Sequence, residues 1–470
     1  MLDNLKRQFQ TTAASVDEVK RKLNDEKYKN ILIASQVSPI TEKSEIENSN
    51  NQLEVDILYR GISIGFLLVL TEAFNLKDYT TRDVVKKFIT PVTANPSLHG
   101  HEPCRFAELA CFSQYFGKAD TFVSHCWRGK WGDLVAAVSN GYPLTRKVWI
   151  DIFAVTQHPQ LDALQDDLGA LEYVIENMRQ GTTLVWNPHI QMDNMSNPVL
   201  RAWCLFEIHT TVIKDNALVL KMGKQGDNLS PHGIVDFVPV NDEDLVIKLV
   251  FDTDIRNAKA SKPEDLDRIH SMIQKQTGFD ELNTIVRTAV YNNWRILQIP
   301  AVQHALSGSK DEVIAVIKRY DADTYEGDPG GSLLHDCVHG NFCHAAELAI
   351  ECGIDINKQT NKGNTPLMFA AEGGRLRMCK LLIVNGAELD LQNERKETAL
   401  HLAAKYGRVD VVDLLVKEGA DKTITDNGNY TASGLARLDK MPGCKDSLKI
   451  LDDNESVLSS LSSWWCCIIK

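Results

Sequence analysis

The chain has 470 residues, and 51 Lys+Arg against 63 Asp+Glu give it a formal charge of −12. Such a length has room for roughly two to four domains, and 43% hydrophobic with 24% charged residues excludes long disorder or a fibrous structure. The acidic balance argues against a general nucleic-acid binder, which needs a basic face to neutralise phosphates, and leaves a protein or a small molecule as the expected partner.

Eleven cysteines, an odd number, follow no regular framework of spacings, which fits reduced thiols and a cytoplasmic location. The opening MLDNLKRQFQ has no apolar core of a secretory leader. In residues 1–117, a helical N-terminal region is expected. ASVDEVKRKLNDEKYKNILIA reads as a short solvated or coiled helix, and Ser38 to Gln52 as a polar interruption. GISIGFLLVL, Gly61 to Leu70, reads as a buried helix, about half the length that spans a bilayer. Thr80 to Phe116 reads as helix-rich, and the spacing of His99, His101, Cys104 and Cys111 matches no strong zinc pattern, so no metal is expected.

From residue 118 to 222 the pattern changes to short apolar runs alternating with helices. Thr121 to Trp127, Lys147 to Val155, Thr182 to Trp186 and Ala217 to Lys221 read as strands. Between them, Asp133 to Ser139, Leu161 to Met178 and Val199 to Lys214 read as helices. This alternation predicts an α/β open parallel sheet, flavodoxin-like, with both faces covered. Adjacent strand residues point to opposite faces, so Ser124, His125 and Cys126 do not pair readily as nucleophile and base. Residues 223–298 read as a helical connector.

Ser332, Thr365, Thr398 and Thr431 then recur at intervals of 33 residues and open the phrases SLLHDCVHGN, TPLMFAAEGG, TALHLAAKYG and TASGLARL. That period and the small Ala403-Ala404 pair identify ankyrin repeats, an all-α solenoid over 299–440 whose first copy, from Ile299, is a degenerate cap. His335 and Cys337 occupy ordinary repeat positions. The turn tips near Asn361-Lys362, Glu394-Arg395-Lys396 and Asp426-Asn427 are expected to meet a protein partner. In the tail, 441–470, the sequence SSWWCCIIK makes Cys466 and Cys467 candidates for lipidation and weak membrane attachment, although the final Lys470 departs from prenylation endings.

The strongest chemical signal is on the helix from Val199 to Lys214, where Leu200, Trp203, Cys204, Ile208 and Thr211 share a stripe with Glu207 in its middle. A carboxylate there needs a partner or a function. RAWCLFEI, at Arg201 to Ile208, preceded by TTLVW, resembles the TIR-domain pattern of a strand and loop leading into a W-C-x-x-E helix. FVSHCWRG and KVWIDIF are similar to the first and second TIR strands. The resemblance implies a TIR-like α/β domain with a tendency to self-associate, and Glu207 as the catalytic carboxylate if the domain cleaves NAD. The carboxyl ends of the strands are where a ligand would sit; there Trp127, Trp131 and Trp186 are candidates to stack on a ring and Arg128 and Lys130 to meet phosphates. The resulting expectation is an intracellular signalling scaffold that binds a protein through its ankyrin repeats, with an NAD+ glycohydrolase as the alternative.

Overall fold

The computed structural model describes residues 16–36, 57–94, 105–155, 157, 170–187, 198–229, 235–240, 243–251, 254–260, 263–307, 310–317, 330–438 and 441–452. The polar segment Ser38 to Gln52, the histidines His99 and His101, and the tail cysteines Cys466 and Cys467 lie outside them. The chain divides into two compact units, residues 1–298 and 299–470.

The first unit is built on a seven-stranded sheet. In chain order its strands are β1 (Gly61–Ser63), β2 (Phe116–Gly117), β3 (Thr121–His125), β4 (Lys147–Trp149), β5 (Thr182–Trp186), β6 (Leu218–Leu229) and β7 (Val235–Pro239), arranged β2-β1-β4-β3-β5-β6-β7. The central four, β4-β3-β5-β6, are parallel; β1 and β7 join them in antiparallel sense, and β2 pairs antiparallel with β1. The sheet therefore reaches beyond the 118–222 span, drawing strands from both sides of it. These short antiparallel strands cover the margins of the parallel core, whose unpaired N–H and C=O groups would otherwise be exposed.

Strand alternation divides the side chains between two cores. Val123, Val148 and Val185 pack with Phe66 of helix α1 (Ile64–Ala73) and Leu134 of helix α2 (Trp131–Ser139). On the opposite face, Phe122 and Trp149 pack with Val174 of helix α3 (Leu171–Glu176) and with Trp203 of helix α4 (Ala202–Ile213). Every residue of β3 and of β5 is buried, as a parallel sheet covered on both faces requires.

Three local expectations change. The N-terminal stretch is not a solvated or coiled helix: it forms Val16–Leu23 and Lys29–Ala34, whose Val19, Leu23 and Leu32 enter the same core as Phe66. Gly61–Ser63 leaves the expected helix to become β1, because Ile62 pairs with Phe116 and Val148 on its two sides. KVWIDIFAV is a strand only to Trp149; Asp151 turns the chain into the helix Asp151–Ala154, with its Oδ1 accepting the Ile152 N–H at 2.8 Å.

In the second unit, five helix pairs follow one another among the described residues, from Pro300–Ser307 with Lys310–Ile317 to Ala432–Leu438 with Cys444–Asp452. Thr398 caps its helix at the His401 N–H, and His401 Nε2 reaches the Tyr430 carbonyl 3.2 Å away in the next repeat. His335 makes the equivalent reach to Asn364, at 3.3 Å. Arg375 caps the carbonyls of Val338 and His339, and one period later Arg408 Nε donates to Glu372 at 2.9 Å. The 33-residue spacing thus sets the hydrogen bonds that join each repeat to its neighbour. No helix among the described residues is long and apolar enough to cross a membrane.

Gly181 sets the entry to β5. Its φ is +73°, its carbonyl accepts the Phe122 N–H at 3.0 Å, and a Cβ there would lie 2.0 Å from the Ala217 carbonyl oxygen. Gly181→Ala is expected to cost about 3 kcal/mol or more, from left-handed backbone strain and this clash. The loss should appear in denaturant unfolding of the first unit; an unchanged midpoint would mean that the turn relaxes freely.

Candidate functional site

The order β4-β3-β5-β6 makes the chain leave β3 toward one side and return for β5 on the other, so a crevice opens past the carboxyl ends of β3 and β5. Side chains from both sheet faces converge near it.

On the α4 face, Ser124 Oγ donates to Glu207 Oε2 at 2.5 Å. Burial pushes the Glu207 carboxyl up to about 8; the Ser124 hydrogen bond opposes the rise and the nearby charge of Asp151 adds to it. At neutral pH the group is thus mainly a neutral acid, an arrangement suited to proton exchange near pH 8. Trp127 Nε1 donates to Asp151 Oδ2 at 2.7 Å, fixing the second carboxylate beside the same strand end. The Cys204 thiol donates to the His125 carbonyl at 3.5 Å, and burial together with the Glu207 charge holds that thiol well above its usual range. It is a packed thiol rather than a nucleophile.

Helix α4 is enclosed over more of its circumference than a single stripe. Ala202, Cys204, Leu205, Phe206, Ile208, His209, Thr210 and Thr211 are all buried, whereas Trp203 and Glu207 are only half-buried. Thr211 donates to the Glu207 carbonyl at 2.7 Å and meets Thr182 Oγ1 of β5 at 2.6 Å, which anchors the Glu207 turn to the sheet.

On the α2 face, a pocket of about 20 Å³ lies among His125, Lys130, Asp133, Leu134, Val185 and Asn187. This is room for about one water molecule. His125 is 8% exposed with its Nε2 lacking a hydrogen-bond partner, and burial keeps the imidazole below its usual range. Asp133 is engaged on both oxygens, by Gln225 N–H and Asn187 Nδ2, each at 2.8 Å. The start of α2 is also occupied. Trp131 N–H donates to the Tyr79 carbonyl at 2.8 Å and Gly132 N–H to that of Lys77 at 2.9 Å, so those amides are not free for a phosphate.

The sequence candidates separate accordingly. Glu207 and the half-buried Trp127 stand at the same strand end through Ser124 and Asp151. Trp186 closes β5 and is 2% exposed. Arg128 and Lys130 are exposed on the loop into α2. Trp131 does not belong to the rim: it is fully buried, its Nε1 donates to Thr71 Oγ1 at 2.9 Å, and its ring meets Phe153 edge-on. A core made of Phe66, Phe106 and Phe153 claims the indole that the sequence offered to a ligand. Sequence reasoning set Ser124 aside as a nucleophile and passed over Asp151. Ser124 stands one residue from the end of β3 and Asp151 two residues past β4, carboxyl-edge positions that could have singled them out.

In the second unit the tips Lys362, Glu394, Arg395 and Asn427 are exposed and joined edge to edge: Glu394 N–H donates to the Lys362 carbonyl at 3.0 Å and Asn427 N–H to that of Arg395 at 2.9 Å. They form a continuous polar ridge whose backbone is tied from repeat to repeat. Among the described residues, no group of three or more His, Cys, Asp or Glu side chains gathers to hold a metal ion.

A carboxyl raised in the folded state stabilises the fold most below its unfolded value, near 4.5, and that stability is lost as pH rises toward about 8. Glu207→Gln removes this loss, so relative to the native protein the variant is expected to gain stability between those limits and hold a constant advantage above them. Denaturant unfolding of the two proteins across this pH range checks it, and parallel profiles would refute the buried neutral acid.

Residues 334–426 match the ankyrin-repeat family, in three copies. No curated protein matches the chain. The matched span lies wholly within the second unit, and ankyrin repeats there support a role in protein binding.

Proposed function

We propose that the protein is an intracellular signalling scaffold, in which the ankyrin stack selects a protein partner and the first unit is a TIR-like domain that reports or assembles the complex. The observation that carries this reading is the ridge of tips at Lys362, Glu394, Arg395 and Asn427, held in register by backbone hydrogen bonds. A pre-organised ridge loses little entropy on binding, while its charged side chains choose the partner. Replacing Glu394, Arg395 and Lys396 together by Ala is expected to abolish the partners recovered by cross-linking to the full chain, without lowering its melting temperature. Partners retained in full by the folded variant would move the binding surface away from the tips.

A second reading, an NAD+ glycohydrolase, is favoured by the Ser124–Glu207 contact at the strand ends. In this reaction the bond between nicotinamide and ribose C1′ breaks, its electron pair leaves with nicotinamide, and water adds to the oxocarbenium-like carbon. An ionised Glu207 would stabilise that cation, and the positive nicotinamide ring would itself favour ionisation of the carboxyl. The narrow pocket and the occupied α2 amides on the other face leave the Glu207 face as the one for substrate. NAD is then a substrate, and the half-buried Trp127 is the indole nearest its path. Nicotinamide release at high protein concentration should rise with pH toward about 8 and fall by at least about 100-fold in Glu207→Gln. Absence of release from both proteins, with no thermal shift by NAD, would leave the scaffold reading alone.

A further inference from the structure

On the α2 face of the first unit, two cations share a site with a tyrosine and no carboxylate. Arg146 immediately precedes β4, Lys221 lies on β6 in register with Val185, and Tyr142 comes from the loop after α2. The Arg146 guanidinium carbon is 3.5 Å from the centre of the Tyr142 ring, and Lys221 Nζ is 5.4 Å from it. Arg146 is only 5% exposed, and its Nε and Nη1 are buried without a hydrogen-bond partner.

Surrounding charges do not neutralise the pair. The charged groups that act on Lys221 are Tyr142 and Arg146, with no carboxylate among them, and burial holds the ammonium below its usual range. Burial alone would raise the Tyr142 phenol, yet the charges of Arg146 and Lys221, together with a hydrogen bond from Arg146, outweigh it and bring the group below its usual value. Cation–π contact offsets part of the cost of enclosing a guanidinium. It does not supply the hydrogen bonds missing at Nε and Nη1, and unpaired buried donors and charges are costly. Tyr142 and Lys221 remain partly exposed while Arg146 lies buried beneath the Tyr142 ring.

A carboxylate would bring one charge. A phosphoryl group brings about −1.5 to −2 and three strong acceptor oxygens, enough to meet an unpartnered guanidinium N–H of Arg146 and the Lys221 ammonium and to balance both cations. We propose that Arg146, Lys221 and Tyr142 form a binding site for a phosphoryl oxyanion, carried by inorganic phosphate or by a small phosphate monoester. The site stands apart from Glu207 and is independent of either reading of the protein's function.

The test is calorimetric titration of the full chain, in chloride buffer at fixed ionic strength, with inorganic phosphate and separately with adenosine monophosphate. Saturable binding of at least one is expected, with a raised melting temperature, and Lys221→Met should weaken it by about tenfold or more. Tighter binding of the nucleotide assigns the site to a monoester; equal or tighter binding of phosphate assigns it to the free anion. Without phosphate, Lys221→Met should melt at or above the native protein, since it removes an uncompensated charge. Arg146→Met should also lose binding. If that variant does not fold, Lys221→Met decides alone, because the residue is partly exposed. No saturable binding of either ligand by the native chain, or undiminished binding by folded Lys221→Met, would overturn the proposal.

Discussion

The first unit depends on a parallel core that has no solvent face. With every residue of β3 and β5 buried, the hydroxyls of those strands must find their partners inside the protein, and only His125 Nε2 among the described side chains of β3 is left without one. Thr121 Oγ1 donates to the Gly181 carbonyl at 2.8 Å, Thr182 meets Thr211, and Ser124 meets Glu207. Polar contacts therefore fasten α4 to the sheet at successive levels, the last of them at the carboxyl edge where the chain can present chemistry. The same enclosure that makes Glu207 an unusual acid also holds its helix in place.

The repeats obey a different constraint. Their hydrogen bonds run between neighbours one period apart, as in Arg375 with Val338 and Arg408 with Glu372, so their stability is assembled locally and their outer ridge is a regular array. The tips are exposed and stand outside the packing of the helices, whereas Glu207 and Ser124 belong to the hydrogen bonds that hold α4 on the sheet.

Much of this architecture was legible in the sequence where the signal was local and repeated. The threonine period gave the repeats, the apolar runs gave the four parallel strands, and a carboxylate amid buried positions gave Glu207. What escaped depends on distant pairing. β1 and β2 are only three and two residues long, too short for alternation to declare them, and they exist because Ile62 meets Phe116 and Val148. Trp131 and Trp127 stand four residues apart in one rim-like phrase and touch the same core, yet the first is fully buried with its N–H on Thr71 and the second is half-buried with its N–H on Asp151. No local pattern separates them; the neighbours that decide come from residues 66–71 and 151–153. Arg146 and Lys221 likewise acquire a common environment only when the sheet brings them together.

The carbonyls of Lys77 and Tyr79 seated on the first amides of α2 give the domain a sidedness. At the place where doubly wound sheets commonly cradle phosphate, this chain has inserted a piece of itself, and that piece behaves as a tethered competitor at very high effective concentration. Whatever meets the strand ends on that side meets amides already paired: the start of α2 is closed by a polypeptide segment rather than by a gate or a charge.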